Sequence, residues 1–390
     1  MQSHRFCPDG KLLSAVMDAA EKAHHWRFAL YMLGDMRRRG LEPDAIAYNI
    51  CTSACEKGGE WARAQWLLTE SLHAALRPDV AAYNATMHGC VAGAQWARAL
   101  HVFQAIGRAG AVADAISFNT AMTCCERARQ WQRTLLLLRR MRGTSVAPDV
   151  VSYSAAISSC ERALQWWRAL GLLLAMEARA AAPNVVACSA AVSACEKGRR
   201  WEEALRLLAA ALGRRLALNV VAWNSAISAC AVGEQWQSAL QLLGAMAIDP
   251  AAASAALAAT PVSYGAAVSA CARGQRWGEA LLLLGGMRAR ALRPNAPVFN
   301  AAVDACARVG RWALALRLLS EMAAASVARD AGALLAAVQA GERGGGCCRA
   351  WQVLPALGRH AAPAVWPPGA GPSAGASDAG EGALALEMLW

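Results

Sequence analysis

Side chains that can exchange hydrogen bonds recur at two fixed places along this sequence. Asn or Ser usually occupies the first place, and an acid, an amide or Thr occupies the second, usually thirty residues later. The pairs are Ser14 with Asp44, Asn49 with Asp79, Asn84 with Asp114, Asn119 with Asp149, Ser154 with Asn184, Ser189 with Asn219, Asn224 with Thr260, Gly265 with Asn295, and Asn300 with Asp330. An amide both donates and accepts, whereas a carboxylate only accepts. Recognition through hydrogen bonds is therefore the chemistry that these pairs offer.

The pairs are the fifth and last residues of a unit that repeats nine times. Its copies cover residues 10–44, 45–79, 80–114, 115–149, 150–184, 185–219, 220–260, 261–295 and 296–330, and the seventh copy carries an insertion. A fixed period of about 20 to 50 residues indicates a solenoid, in which each unit contacts only its neighbours.

Each unit is predicted to be a helical hairpin. In residues 150–184, Tyr153, Ile157 and Cys160 follow helical spacing in the first half, and Trp166 and Leu173 do so in the second. A Pro followed by Asp or Asn usually ends the unit and marks the start of the next helix. The fold class is therefore all-α.

The polar pairs also have purely structural interpretations. Asp or Asn directly before a helix is a preferred N-cap, so capping alone accounts for the last place. Asn inside a helix is unfavourable without a partner, so the fifth place needs a reason, either ligand contact or an amide ladder between units.

Cys recurs at the eleventh place of eight units: Cys55, Cys90, Cys125, Cys160, Cys195, Cys230, Cys271 and Cys306. Stacked helices lie about 8 to 10 Å apart, beyond the roughly 7 Å limit for bridging Cα atoms. Free, buried thiols in a reducing compartment are expected. Cys51 and Cys55 lack a matching His or Cys pair, so no metal site is expected.

The overall charge favours a polyanionic partner. Lys and Arg number 39 against 28 acidic residues, for a formal charge of +11. No apolar run reaches the length of a membrane-spanning helix, so no membrane association is expected.

The 35-residue period, the YN near the start of the first helix, the ALxLLxxM pattern of the second and the closing PD or PN resemble the pentatricopeptide repeat family, P-type, over residues 10–330. The resemblance implies a right-handed superhelix of antiparallel hairpins. Its first helices would line a groove for single-stranded RNA, with one base per repeat. The fifth and last residues would contact the base edge.

The resemblance also assigns an apolar second residue to packing against base faces. These residues are Ile46, Ile116, Val151, Val186, Val221 and Val262, with Ala81 in the third unit. Lys11 and Pro297 break the pattern, so the terminal units are weaker candidates. A carboxylate can accept the N3 proton of uracil while Asn donates to a carbonyl. The family's pairing rules imply a target of 5'-G-U-U-U-A-A-n-n-U-3'.

A cation stands at the thirteenth place of seven units: Lys22, Lys57, Arg127, Arg162, Lys197, Arg273 and Arg308. The resemblance implies a stripe along the RNA phosphates; the structural alternative is a favourable charge at the helix C-terminus. The recurring Trp that begins each second helix is expected to pack against its own first helix rather than to stack on bases.

Enzyme and cofactor signatures are absent from the sequence. The deaminase found at the end of some family members needs His-x-Glu and Cys-x-x-Cys, whereas His360 precedes Ala-Ala, and Cys347 and Cys348 are adjacent. Residues 1–9 are interpreted as the remnant of an upstream repeat, so that the sequence would begin inside an array and a targeting segment would be lost. Residues 331–360 are predicted to form a degenerate capping repeat, and residues 361–390 a disordered tail.

The predicted function is sequence-selective binding of single-stranded RNA by a monomer, in organellar RNA processing, stabilisation or translation. The resemblance implies the chloroplast or the mitochondrion. Two alternatives remain open: a protein-binding scaffold resembling tetratricopeptide repeats, and an adaptor that recruits an RNA-processing enzyme through its C-terminal region.

Overall fold

The computed structural model describes residues 10–74, 76–93, 95–179, 181–248, 259–327 and 331–344, with only the backbone of residues 10, 11, 247 and 248. These ranges contain nineteen α-helices and no strand, so the predicted all-α solenoid of hairpins is confirmed. Asp330, residues 1–9, most of the insertion and the predicted tail lie outside the described residues. Within the described ranges, every helix is too short or too polar to cross a membrane.

The first helices of successive units begin at the first residue of each unit. They are α1 (Gly10–Lys22), α3 (Ala45–Lys57), α5 (Val80–Ala92), α7 (Ala115–Arg127), α9 (Val150–Arg162), α11 (Val185–Lys197), α13 (Val220–Val232), α15 (Pro261–Arg273) and α17 (Ala296–Arg308). The second helices each begin at the recurring Trp. They are α2 (Trp26–Arg38), α4 (Trp61–His73), α6 (Trp96–Arg108), α8 (Trp131–Gly143), α10 (Trp166–Glu177), α12 (Trp201–Gly213), α14 (Trp236–Ile248), α16 (Trp277–Ala289) and α18 (Trp312–Ala324). A final helix, α19 (Ala331–Arg343), follows.

A left-handed residue closes the turn inside most hairpins. Leu164 has a φ of 60°, and Gly59 takes the same conformation at the equivalent place with a φ of 73°. This conformation brings the amide of Gln165 within 2.9 Å of the carbonyl oxygen of Cys160, which satisfies a free acceptor at the end of α9. The chain then reverses directly into α10.

The first helices form one continuous layer of the solenoid. Each packs on the first helix of the following unit, from α1 on α3 through α15 on α17. Second helices pack on the first helix of their own unit and on that of the next. Since the first helices stack directly on one another, their free face forms a continuous surface. The helix α19 packs on α17 in the same way and covers the last unit.

The eight cysteines at the eleventh place are all buried and free, as predicted. Loss of hydration on burial raises the pKa of all eight thiols, to about 11 for Cys160 and Cys230. A thiol that stays protonated at neutral pH is a poor nucleophile. These residues therefore serve as small packing groups.

The recurring Trp side chains also contact the following unit, in addition to the expected packing on their own first helix. Trp166 is half-buried and lies against Gly198, at the end of the next first helix, where an added Cβ would overlap the indole. Arg200 of that next unit lies 5.0 Å above the indole ring. Because each indole contacts the following unit, it sets the spacing of the stack. Equivalent contacts of Trp with Gly join Trp26 to Gly58, Trp61 to Gly93, Trp201 to Gly233 and Trp236 to Gly274.

Candidate nucleic-acid interface

An exposed apolar side chain stands at the second place of six first helices. Ile46, Ile116 and Val262 are each 61% exposed. The others are Val151, Val186 and Val221, at 54 to 59%. Aliphatic side chains of this size are usually buried in a folded chain, so their regular exposure on one layer is unusual. They form an apolar row that a planar ring could pack against.

The last residue of each described unit caps the next first helix. Asp44, for example, accepts a hydrogen bond from the amide of Ala47 at 2.8 Å through Oδ1. The same role is filled by Asp79, Asp114, Asp149, Asn184, Asn219, Thr260 and Asn295. Residues at the last place therefore do act as N-caps, as the structural interpretation predicted. Capping uses only one oxygen of the side chain, however, so a carboxylate keeps its second oxygen for another partner.

The fifth and last side chains meet in four of the predicted pairs. Asn119 Nδ2 donates to both carboxylate oxygens of Asp149 at 3.2 Å. Asn84 Nδ2 donates to Asp114 Oδ1 at the same distance. In the fifth and sixth units a hydroxyl takes the place of the amide. Ser154 Oγ lies 3.2 Å from Asn184 Oδ1, and Ser189 Oγ lies 2.9 Å from Asn219 Oδ1.

The other predicted pairs differ among themselves. Asn49 and Asp79 share no hydrogen bond in the described part of the chain, and Asp79 caps α5 through the amide of Ala82. Gly265 brings no side chain to the place beside Asn295. Ser14 lies in α1 of the unit that Asp44 ends, and Asn300 lies in α17, whereas its predicted partner Asp330 lies outside the described residues. Ser263 links Asn224 to Thr260.

A serine at the third place of the following unit contacts the fifth-place Asn, and the sequence patterns did not single out this residue. Ser117 Oγ lies 2.7 Å from Asn84 Oδ1, and Ser152 Oγ lies 2.6 Å from Asn119 Oδ1. Ser263 makes the same contact to Asn224 at 2.6 Å. All three serines are fully buried. A polar residue at a buried helix position was the signal available in the sequence.

This network changes the acidity of the carboxylates that it includes. Burial raises the pKa of Asp114, but hydrogen bonds from the amide and hydroxyl of Ser117 and from Asn84 outweigh it, and the net effect lowers that pKa. Asp149 shows the same balance with Ser152 and Asn119, and its pKa is also lowered. Both carboxylates therefore carry their charge at neutral pH and act only as acceptors.

The predicted phosphate-binding cations are mostly paired with acidic side chains. Lys57 Nζ lies 3.0 Å from Glu21, and Lys197 Nζ lies 2.8 Å from Glu161, one unit earlier in each case. Arg162 lies 3.3 Å from Glu126 in the same arrangement. Within their own helices, Lys22 pairs with Asp18 and Arg308 with Asp304. Arg127 donates to the carbonyl oxygen of Val91 at 3.4 Å. Arg273 ends α15 at the equivalent place and is exposed.

A cavity of about 440 Å³ is lined by residues of the first four units. Its lining includes Asn49 and Asn84 from the fifth place and Ile116 from the second place. His88 and Glu56, whose nearest atoms lie 3.2 Å apart, also line it. The fifth-place residues of two neighbouring units thus line the same cavity beside an apolar side chain.

Comparison with known proteins supports the family assignment. The family model described as PPR repeat matches residues 221–247, 262–291 and 297–327. A search of curated proteins finds no match to this sequence.

Two solved structures share the fold. The pentatricopeptide repeat protein PPR10 from maize is 19% identical, with 90% of this chain and 54% of that chain covered and a TM-score of 0.52. A PPR10 variant with three cysteines changed to serine, in complex with an 18-nt PSAJ RNA element, is also 19% identical, with 92% and 52% covered and a TM-score of 0.69. This chain thus spans about half the length of the structures it matches. The family model confirms pentatricopeptide repeats in three segments of this chain, and the two solved structures confirm its fold.

Proposed function

We propose that this protein binds single-stranded RNA along its layer of first helices, with one base at each unit. The observation that carries the proposal is the repeated combination of an exposed aliphatic side chain and a hydrogen-bonding pair. Ile116 lies on α7, the first helix of the unit after Asn84, and is 61% exposed. Asn84 donates a hydrogen bond to Asp114. Bases offer an apolar face and a polar edge at right angles, and this combination matches both.

The pair chemistry supports a preference for uracil at the second, third and fourth units. Asp79, Asp114 and Asp149 can accept the N3 proton of uracil, and the Asn beside each can donate its second amide hydrogen to a carbonyl. Ser with Asn at the fifth and sixth units suits adenine. Under the pairing rules that the family resemblance implies, the target runs 5'-G-U-U-U-A-A-n-n-U-3', with Asp330 as the second residue of the last pair. The PPR10 variant that shares this fold is in complex with RNA, which supports an RNA partner here.

The cations at the thirteenth place contribute contacts with phosphates. Five of the seven are paired with Asp or Glu in the free protein. A phosphate must therefore compete with a carboxylate at those places. If all seven bind phosphate, log affinity should fall with log salt with a slope of about −5.

We further propose that the protein acts without catalysis, as a monomer in the chloroplast or the mitochondrion, by occupying its RNA site. Bound protein would block nucleases, define transcript ends or remodel the RNA. A protein partner that binds the C-terminal region is compatible with this action.

Selection from random RNA by the purified chain tests the proposal. A U-rich segment followed by A is expected, at the spacing of one base per unit. Binding without base preference would contradict base recognition, and no binding of RNA at low salt would favour a protein-binding scaffold. A salt slope shallower than about −2 would contradict the phosphate stripe.

A further inference from the structure

We propose that the third-place serines are positioning residues, which fix the amide orientation of the Asn in the preceding unit and thereby sharpen the choice of uracil over cytosine. Ser117 acts on Asn84, Ser152 on Asn119, and Ser263 makes the same contact to Asn224. This inference rests on the proposed function, because it assumes that Asn84 and Asn119 meet bases.

The hydrogen bonds around Asn84 are compatible with only one amide orientation. Asp114 Oδ1 accepts from the amide of Ser117 at 2.8 Å and from Asn84 Nδ2 at 3.2 Å. Ser117 Oγ lies 2.7 Å from Asn84 Oδ1 and 2.8 Å from Asp114 Oδ1, so its single proton is shared between the amide oxygen and the carboxylate. Rotating the amide by half a turn would place Asn84 Oδ1 against a carboxylate oxygen, and two acceptors repel each other. The carboxylate thus holds Nδ2, and the serine hydroxyl holds Oδ1.

The same arrangement holds at Asn119 and fails at Asn49. Ser152 Oγ lies 2.6 Å from Asn119 Oδ1, and Asn119 Nδ2 contacts both oxygens of Asp149. The unit after Asn49 has Ala82 at the third place, which has no hydroxyl. Asn49 and Asp79 are not joined by a hydrogen bond in the described part of the chain. The three junctions have the same two pair residues, and the one that lacks the third-place hydroxyl also has Ala81 at the second place, where the others have Ile116 and Val151.

Amide orientation decides which pyrimidine an Asn can bind. A fixed Nδ2 donates to a uracil carbonyl, whereas cytosine presents an amino donor at the corresponding edge. An amide that is free to rotate can turn Oδ1 toward that amino group and accept from it. Discrimination against cytosine should therefore be stronger opposite Asn84 and Asn119 than opposite Asn49.

Reciprocal substitutions at the third place test the inference. Affinity is measured for RNAs of sequence 5'-GUUUAA and for those with one U changed to C. In the wild type, the preference for U should be larger at the third and fourth bases than at the second, by about fivefold, the effect of one neutral hydrogen bond. Ser117→Ala should reduce the preference at the third base alone. Ala82→Ser should increase it at the second base alone.

Two controls separate positioning from folding. Ala occupies the third place in other units, at Ala47, Ala187 and Ala222, so Ser117→Ala should leave thermal unfolding close to that of the wild type. Ser117→Thr keeps the hydroxyl and should keep the preference. Equal loss of affinity for U and C RNAs in Ser117→Ala, or an unchanged preference in both exchanges, would overturn this inference and leave the proposed function standing. A wild type without preference at any base would overturn both.

Discussion

Two features of the molecule repeat with the same period but differ in how much they vary: the surface formed by the fifth and last residues of the units, called the groove below, and the boundary between units. At the boundary, Trp begins the second helix in all nine units, and its contact partner is repeatedly Gly. In the groove, the fifth residue changes among Ser, Asn and Gly, and the last among Asp, Asn and Thr. Packing between units has one main solution, whereas the groove presents a different hydrogen-bonding pair from unit to unit. The comparison indicates that contacts at the boundary hold the units together, whereas residues of the groove make one unit chemically different from the next.

Removal of an indole from the boundary should have the largest effect. Trp166→Ala should lower the free energy of unfolding by about 2 to 3 kcal/mol, near the lower limit for a large aromatic residue because the side chain is only half-buried. The neighbouring Trp167 is 54% exposed, so Trp167→Ala is a matched control with an expected change of about 0.5 kcal/mol or less. Urea unfolding of both variants provides the measurement. Equal losses would show that the boundary contact does not set stability.

Substitution at the last place should separate its two roles. Asp114→Ala removes the N-cap of α7 and should cost about 1 kcal/mol of stability. Asp114→Asn should keep the cap, because Asn184, Asn219 and Asn295 cap their helices in the same way. Both variants should alter the preference at the third base. Chemical denaturation and RNA binding measure the two effects, and equal destabilisation by Ala and Asn would contradict this separation.

The smallest expected effect concerns how the free energy of unfolding depends on pH in acid. The hydrogen bonds to Asp114 and Asp149 hold their folded pKa values below the usual range, so unfolding takes up protons in acid. Their contribution to stability is complete above the unfolded pKa of about 3.9 and is lost as the pH falls through the folded values. Replacing both with Asn should flatten the dependence of stability on pH in that interval and should remove this small contribution at neutral pH. Unfolding curves measured between about pH 2 and pH 7 test this pH dependence. An unchanged acid slope would contradict the assignment.

Much of the fold was predictable because the pattern recurs nine times. Helical spacing around Tyr153 and Leu173 identified both helices of a hairpin, and the caps at Asp and Asn marked their starts. The contact of Trp166 with Gly198 was not predicted, because periodicity shows which side of a helix is apolar without showing every neighbour that covers it. Stacking of one unit on the next decides that question.

The candidate site was predictable at the level of positions and less so at the level of contacts. The fifth and last places were identified from their recurrence, and whether they recognise bases is still a prediction. The hydrogen bond from Ser117 to Asn84 joins residues 33 apart in the sequence, on stacked helices. The ion pair of Lys57 with Glu21 likewise joins two stacked helices. Such contacts depend on the offset between units, which the sequence does not express as a local pattern.

Exchange of one complete pair tests the central claim most directly. Asn49→Ser combined with Asp79→Asn, beside the existing Ala82, recreates the junction formed by Ser154, Asn184 and Ala187. The cap of α5 is retained, so stability should change little. Binding to RNAs that differ only at the second base should then favour A over U, with the preferences at the third and fourth bases unchanged. A uniform loss of affinity, or an unaltered preference for U, would contradict recognition of bases by the fifth and last residues.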